Sequence, residues 1–90
     1  MIGGFIVQKD IVFPKLSSKI LSGVIIEWTT EIGQTIEKGE VLYAVETDKA
    51  VHEIESPISG KLVSIHVELG DAVTAGDLIA TIDESKEVEE

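Results

Sequence analysis

The sequence predicts an all-β fold, a sandwich or flattened barrel built from two similar halves. Three observations carry that prediction. Apolar residues alternate with a period of two nearly everywhere and never with the period of a helix. A shift of 37 positions lays Gly23–Glu46 over Gly60–Asp83 without a gap. Glycines punctuate the chain at matching places in both copies, cutting it into short strands. The repeat has only four identities in 24 positions, but glycines fall on glycines and aliphatics on aliphatics. Each half alone cannot bury its apolar face; two halves related by a pseudo-twofold axis bury both.

Ile11-Val12-Phe13 reads as a short first strand, closed by Pro14 where a missing N–H is tolerated. Met1–Lys9 precedes it as an extension in which Phe5, Val7 and Gln8 either continue the first strand or are flexible, and Leu16–Ser22 is a polar-leaning loop. Gly23–Trp28 alternates, with Val24, Ile26 and Trp28 on one face; its copy places Val63, Ile65 and Val67 there, so this face is expected to form the core. Gly33 and Gly39 bracket a very short strand around Ile36, as Gly70 and Gly76 bracket one around Val73. Glycine at that spacing supplies the positive φ of tight turns. Val41–Glu46 and Leu78–Ile82 close the two halves, and Ser56-Pro57 and Ser59-Gly60 mark entry to the second copy. Asp83, Glu84, Glu87, Glu89 and Glu90 against a single Lys86 suggest that 84–90 is a solvated acidic tail or the start of a linker.

Composition excludes several functions. The absence of cysteine removes disulfides, thiol catalysis and thiolate metal sites. A net charge of −10 argues against nucleic acid or an anionic membrane as partner. No apolar run approaches the roughly 20 residues that span a bilayer, and Met1–Val7 lacks the basic flank of a signal peptide. A soluble, cytoplasmic, monomeric domain is expected. His52 and His66 have no third ligand at a recognisable spacing, so metal binding is not expected. No phosphate-cradling glycine loop and no nucleophile–histidine pair is present, so no catalytic residue is assigned.

Between the copies lies Glu46-Thr47-Asp48-Lys49-Ala50. Strand-like sequences flank it, so Asp48-Lys49 sits at a hairpin apex, with Asp48 a good turn-former through its carboxylate. From spacing alone Lys49 is a surface lysine on a turn, a poor nucleophile by itself. The run joins a wider pattern of Pro14-Lys15-Leu16, Gly23, Trp28, Gly33, Gly39, Ser56-Pro57, Gly60, Gly70 and Gly76. From about Asp10 to Asp83 the chain resembles a lipoyl domain, the module of the acyltransferase component of 2-oxo acid dehydrogenase complexes.

That resemblance implies two four-stranded antiparallel sheets in a flattened barrel over 10–83, and lipoic acid joined covalently to Lys49. It implies recognition of Glu46, Thr47, Asp48 and Ala50 by a lipoate ligase or lipoyl transferase. The carried arm would swing between a 2-oxo acid decarboxylase, an acyltransferase core and a dihydrolipoamide dehydrogenase. The domain itself would catalyse nothing. The loop Ser17-Ser18-Lys19-Ile20-Leu21 corresponds to the part that helps the decarboxylase recognise its carrier, but Lys19-Ile20-Leu21 departs from the small polar residues usual there. Ala50 leans towards a pyruvate- or acetoin-type complex. Biotin carriers share the fold and the lysine turn, but their lysine lies between methionines where this chain has Asp48 and Ala50. The lipoylated glycine-cleavage carrier is usually longer and differs around its lysine. From another class, an unmodified β-sandwich adaptor could dock a basic partner on the acidic surface.

Overall fold

The computed structural model describes the backbone of residues 2–89 and the side chains of residues 4–85; Met1 and Glu90, at the ends of the expected extension and tail, lie outside the described residues. Eight strands form two four-stranded antiparallel sheets, as the sequence and its resemblance predict. The strands are β1 (Ile2–Val12), β2 (Ser22–Trp28), β3 (Thr35–Ile36), β4 (Val41–Glu46), β5 (Val51–Glu55), β6 (Gly60–Ile65), β7 (Ala72–Thr74) and β8 (Leu78–Glu89). One sheet has the order β1-β8-β6-β3, the other β5-β4-β2-β7. Replacing each strand by its repeat partner turns one order into the other, so the sequence duplication is a duplication of sheets.

Backbone hydrogen bonds tie the halves together reciprocally. Gly33 N–H donates to the Leu62 carbonyl at 2.7 Å, and its repeat partner Gly70 donates to Ile25 at 2.8 Å. Ile25 N–H bonds Asp71 at 2.9 Å, while Leu62 N–H bonds Gln34 at 3.0 Å. Each tight turn of one half therefore clamps the strand of the other. The side chain at the end of each turn closes it: Gln34 accepts from Glu31 N–H at 3.2 Å and Asp71 from Glu68 N–H at 2.8 Å. Gly33 and Gly70 have φ of 97° and 90°, the left-handed region that favours glycine.

The core follows the same symmetry. Ile25, Ile36, Leu42 and Val45 are fully buried, and so are their partners Leu62, Val73, Ile79 and Ile82. Phe13 and Tyr43 fill the remaining space, with Trp28 packed on the cluster and its ring centroid 5.1 Å from that of Tyr43. Burial pushes the Tyr43 phenol above its ordinary pKa, because the charged form would lose water there.

Two expectations need correction. The sequence pattern put Val24 and Ile26 inside, yet they are 39% and 42% exposed while Ile25 is buried. Val63 is likewise only half-buried and Leu62 is buried. The cause is a pair of β-bulges. Ile25 faces Val45 and Glu27 faces Ala44, leaving Ile26 as the extra residue; Leu62 faces Ile82 and Ser64 faces Thr81, leaving Val63 extra. An inserted residue reverses the alternation, so Trp28, Ile65 and Val67 do turn inward beyond the bulge. The second correction concerns the chain ends. Of the two readings open for the N-terminal stretch, strand continuation is the one observed, with β1 beginning at Ile2, whereas β8 continues to Glu89 instead of giving way to an irregular tail. The two ends pair from Ile2↔Glu89 to Gln8↔Asp83, so each strand supplies the backbone partners that an isolated tail would lack.

Candidate attachment site at the β4–β5 hairpin

β4 and β5 run antiparallel up to the pair Glu46↔Val51. Beyond it Thr47 N–H donates to the Ala50 carbonyl at 2.9 Å, which leaves Asp48 and Lys49 at the apex. Two-residue hairpins favour turns with positive φ, whose twist matches that of the strands. Here, among the described residues, only glycines have positive φ, so this apex is not one of those turns. A side chain holds it instead. Thr47 Oγ1 donates to the Ala50 carbonyl at 3.1 Å and accepts from Lys49 N–H at 3.2 Å and Ala50 N–H at 3.3 Å. His52 Nε2 lies 3.3 Å from the same hydroxyl.

Asp48, Lys49 and Ala50 are all exposed at the tip. The amine stands on a braced turn where an enzyme can approach it from outside. The other lysines with described side chains, at 9, 15, 19, 38 and 61, are exposed too. Solvent access therefore does not single out Lys49, nor does a turn as such, since Lys38 lies on the Glu37–Glu40 turn between strands of different sheets; its place at the apex of a hairpin between paired strands does. The symmetry partner of the β4–β5 pair is the β8–β1 pair, and at Ser85-Lys86, the positions equivalent to Asp48-Lys49, β8 runs straight on instead of turning.

The base of the hairpin packs against β2. A Cβ on Gly23 would stand 3.1 Å from the Glu46 carbonyl oxygen and 3.3 Å from Thr47 Cγ2, so the missing side chain makes room for the turn. Beside it lies the loop before β2. Ser17 Oγ accepts from Lys19 N–H at 3.1 Å and Ile20 N–H at 3.0 Å, and the Leu21 carbonyl accepts from Ala75 N–H at 2.7 Å. Lys19, Ile20 and Leu21 line one wall of an open groove of about 700 Å³, and Glu46, Thr47 and Asp48 line the other.

The structure thus brings the two predicted segments together. Glu46, Thr47, Asp48, Lys49 and Ala50 form the hairpin, and three residues of the 17–21 loop face it across the groove. Ser17 closes its loop, and neither it nor Ser18 lines the groove. The turn-forming role expected of Asp48 falls to Thr47 instead. That role was legible, since Thr bonding to N–H groups two and three residues on is a local pattern. The contribution of His52 was not, because it depends on the β4–β5 register, which sets His52 opposite Val45. Among the described residues no group of His, Asp and Glu side chains is placed to hold a metal ion, and no helix is long and apolar enough to cross a membrane.

Residues 9–82 match the model of the Biotin_lipoyl family, described as biotin-requiring enzyme. The chain belongs to that family, whose domains carry a covalently attached lipoyl or biotin group. Within it the chain is a lipoyl domain of the kind found in the acyltransferase component of 2-oxo acid dehydrogenase complexes, a carrier module rather than a catalytic one. It is 41% identical over 70 residues to the dihydrolipoyllysine-residue acetyltransferase component of pyruvate dehydrogenase complex from Staphylococcus aureus, covering 78% of this chain and 16% of that protein. It is 35% identical over 72 residues to the component of the same name from Acholeplasma laidlawii, covering 80% of this chain and 13% of that protein. The chain therefore spans about one-sixth or less of these relatives. The lipoyl domain of the 2-oxoglutarate dehydrogenase complex from Azotobacter vinelandii superimposes with a TM-score of 0.66 at 29% identity, covering 83% of this chain and 95% of that one. A multidomain long-chain acyl-CoA carboxylase, at 22% identity and a TM-score of 0.69, shares the fold.

Proposed function

We propose that Lys49 carries lipoic acid in amide linkage and that the chain delivers this arm among the active sites of a 2-oxo acid dehydrogenase complex. The observation that carries the reading is a lysine at the tip of a side-chain-braced hairpin, flanked by Asp48 and Ala50. Acylation removes one positive charge and adds a flexible chain ending in a dithiolane. The sulfur chemistry then belongs to the cofactor, which is how a chain without cysteine takes part in thiol-based acyl transfer. The protein contributes position. Tethering raises the effective concentration of the bound acyl group at each site it can reach.

Glu46, Thr47, Asp48 and Ala50 would form the surface read by a lipoate ligase or lipoyl transferase. The loop from Ser17 to Leu21 would be read by the decarboxylase. The remaining partners would be an acyltransferase core and a dihydrolipoamide dehydrogenase, in a pyruvate- or acetoin-type complex. Incubation with lipoate ligase, lipoate and ATP should add one lipoyl unit, located by peptide mass at Lys49. Lys49→Arg should take up none and keep the same circular dichroism, since an exposed turn residue contributes little to stability. Lipoate on Lys38 or Lys61, or efficient biotinylation of Lys49 by a biotin ligase, would overturn the reading.

A further inference from the structure

The groove beside the hairpin has features that presentation of a lysine does not require. Its floor is the outer face of β2 and β7, registered Ser22↔Thr74 and Val24↔Ala72. Leu21 and Val24 leave apolar surface open there, 42% and 39% exposed. Ile20 also lines the groove, while Lys19, Glu46, Thr47 and Asp48 supply polar groups around it. Its volume of about 700 Å³ falls within the range of small-molecule sites. The Ser17 hydrogen bonds shape the 17–21 wall, and the Leu21 carbonyl ties it to the residue after β7 through Ala75 N–H.

Resting on the assignment of lipoate to Lys49, we propose that this groove is a docking site for the dithiolane end of the chain's own arm. The tether begins at the rim, because Lys49 follows Asp48 directly. Val24 pairs with Glu46 and Ala72 pairs with Val24, so the floor lies within two strand spacings of the hairpin base, roughly 10 Å. A lysine stem lengthened by an alkyl chain reaches that far. The dithiolane and its alkyl chain are apolar and match Ile20, Leu21 and Val24. A groove this open would hold a free ligand weakly. A tethered group is present at an effective concentration of about millimolar, so weak contact is enough to keep the arm docked part of the time. The departure at Lys19-Ile20-Leu21 then has a physical consequence: it places apolar side chains where the arm can reach them. Docking is reversible, and a partner's active site competes for the same end.

The test compares isotope-labelled chain before and after enzymatic lipoylation. The Leu21 and Val24 methyl resonances should shift, with nuclear Overhauser contacts to the dithiolane ring. Reduction of the dithiolane by a water-soluble phosphine should be about twofold slower than for free lipoamide, as half-occupancy of the groove implies. The double variant Leu21→Ser/Val24→Ser should accept lipoate, keep its dispersed β-sheet spectrum and lose the slowing. Both side chains lie outside the core cluster, and the retained spectrum checks that the fold survives their loss. A lipoylated chain whose shifts are confined to Thr47–Ala50, with reduction as fast as for lipoamide, overturns docking and leaves the attachment site standing. A chain that takes no lipoyl group at all overturns the attachment and the docking together.

Discussion

At the scale of single residues, the site depends on Thr47 more than on the lysine's own neighbours. One hydroxyl makes three hydrogen bonds within the turn and a fourth contact to His52. Each such bond contributes about 1 kcal/mol net, and all are lost together in Thr47→Val. That variant should keep its sheets but let the Lys49 and Ala50 amides exchange faster, and it should be lipoylated more slowly. Unchanged exchange at both amides would show that the backbone holds the turn unaided. Exchanging Asp48 and Lys49 tests presentation itself. Moving one place along the tip redirects the side chain, so lipoylation should fall sharply with circular dichroism unchanged. Because Asp48 makes none of the bonds that close the turn, the exchange should not unfold the hairpin. Efficient modification at position 48 would show that local sequence is read without regard to position.

Glycine supplies the other decisive residues. Gly33 and Gly70 combine a positive φ with open space, since a Cβ at either would meet nothing within 4 Å. The cost of a side chain there is backbone strain and not a clash. Gly33→Val and Gly70→Val should each destabilise by on the order of 1–3 kcal/mol, read by urea unfolding. Because the two turns are symmetry partners, the losses should be similar. Gly60 is limited by space instead: a Cβ there would collide with the Asp83 backbone and Ile82.

At the scale of elements, the long pairing of β1 with β8 divides into two parts. From Lys9 to Val12 it lies on a sheet that continues into β6, which pairs with β8 from Ala80 to Asp83. Beyond the last registered β6–β8 pair, Lys61↔Asp83, β1 continues its pairing with β8 from Val7 to Ile2, and Phe5 and Ile6 there are largely exposed. Paired strands that bury little apolar surface are marginally stable. The amides of Gly4–Val7 should therefore exchange through local opening, well before those of β4 and β6. Protection of this stretch equal to that of the core would require a packing partner for Phe5 and Ile6, which are 53% and 63% exposed. The residues from Ile2 to Gln8 lie outside the family match, which covers residues 9–82.

At the scale of the whole molecule, the fold is two copies of one packing solution. Ile25 and Leu62 occupy equivalent buried places, each just ahead of a bulge and each bonded to the turn of the opposite half. Truncation to alanine at either position leaves a cavity and should cost about 2–5 kcal/mol. The two losses should agree closely, while Ile26→Ala, one residue away, should cost far less. Chemical denaturation of the three variants checks this. A large loss at Ile26 with little at Ile25 would restore the alternation read from sequence and remove the bulges.

Much of this was legible in the residues. The 37-position repeat foretold two equivalent halves, and glycine spacing foretold the left-handed turns at Gly33, Gly39, Gly70 and Gly76, which all have positive φ. The hairpin carrying Lys49 followed from strand-like sequence on both sides. These are local features: a turn's backbone angles and a strand's alternation are dictated by neighbours in the chain. What failed was non-local. A bulge arises because two strands must keep their register while bending around a shared core, and nothing near Ile26 or Val63 announces it. The pairing of Ile2–Gln8 with Asp83–Glu89 joins segments at opposite ends of the chain, each unremarkable until the other lies beside it. The groove is also tertiary, since its walls come from the 17–21 loop and the hairpin and its floor from β2 and β7. The sequence by itself determined the lysine, its turn and the symmetry around it. Only the folded structure decided which face is buried, how residues 2–8 and 83–89 pair and what surface lies beside the hairpin, because each depends on register between strands distant in sequence.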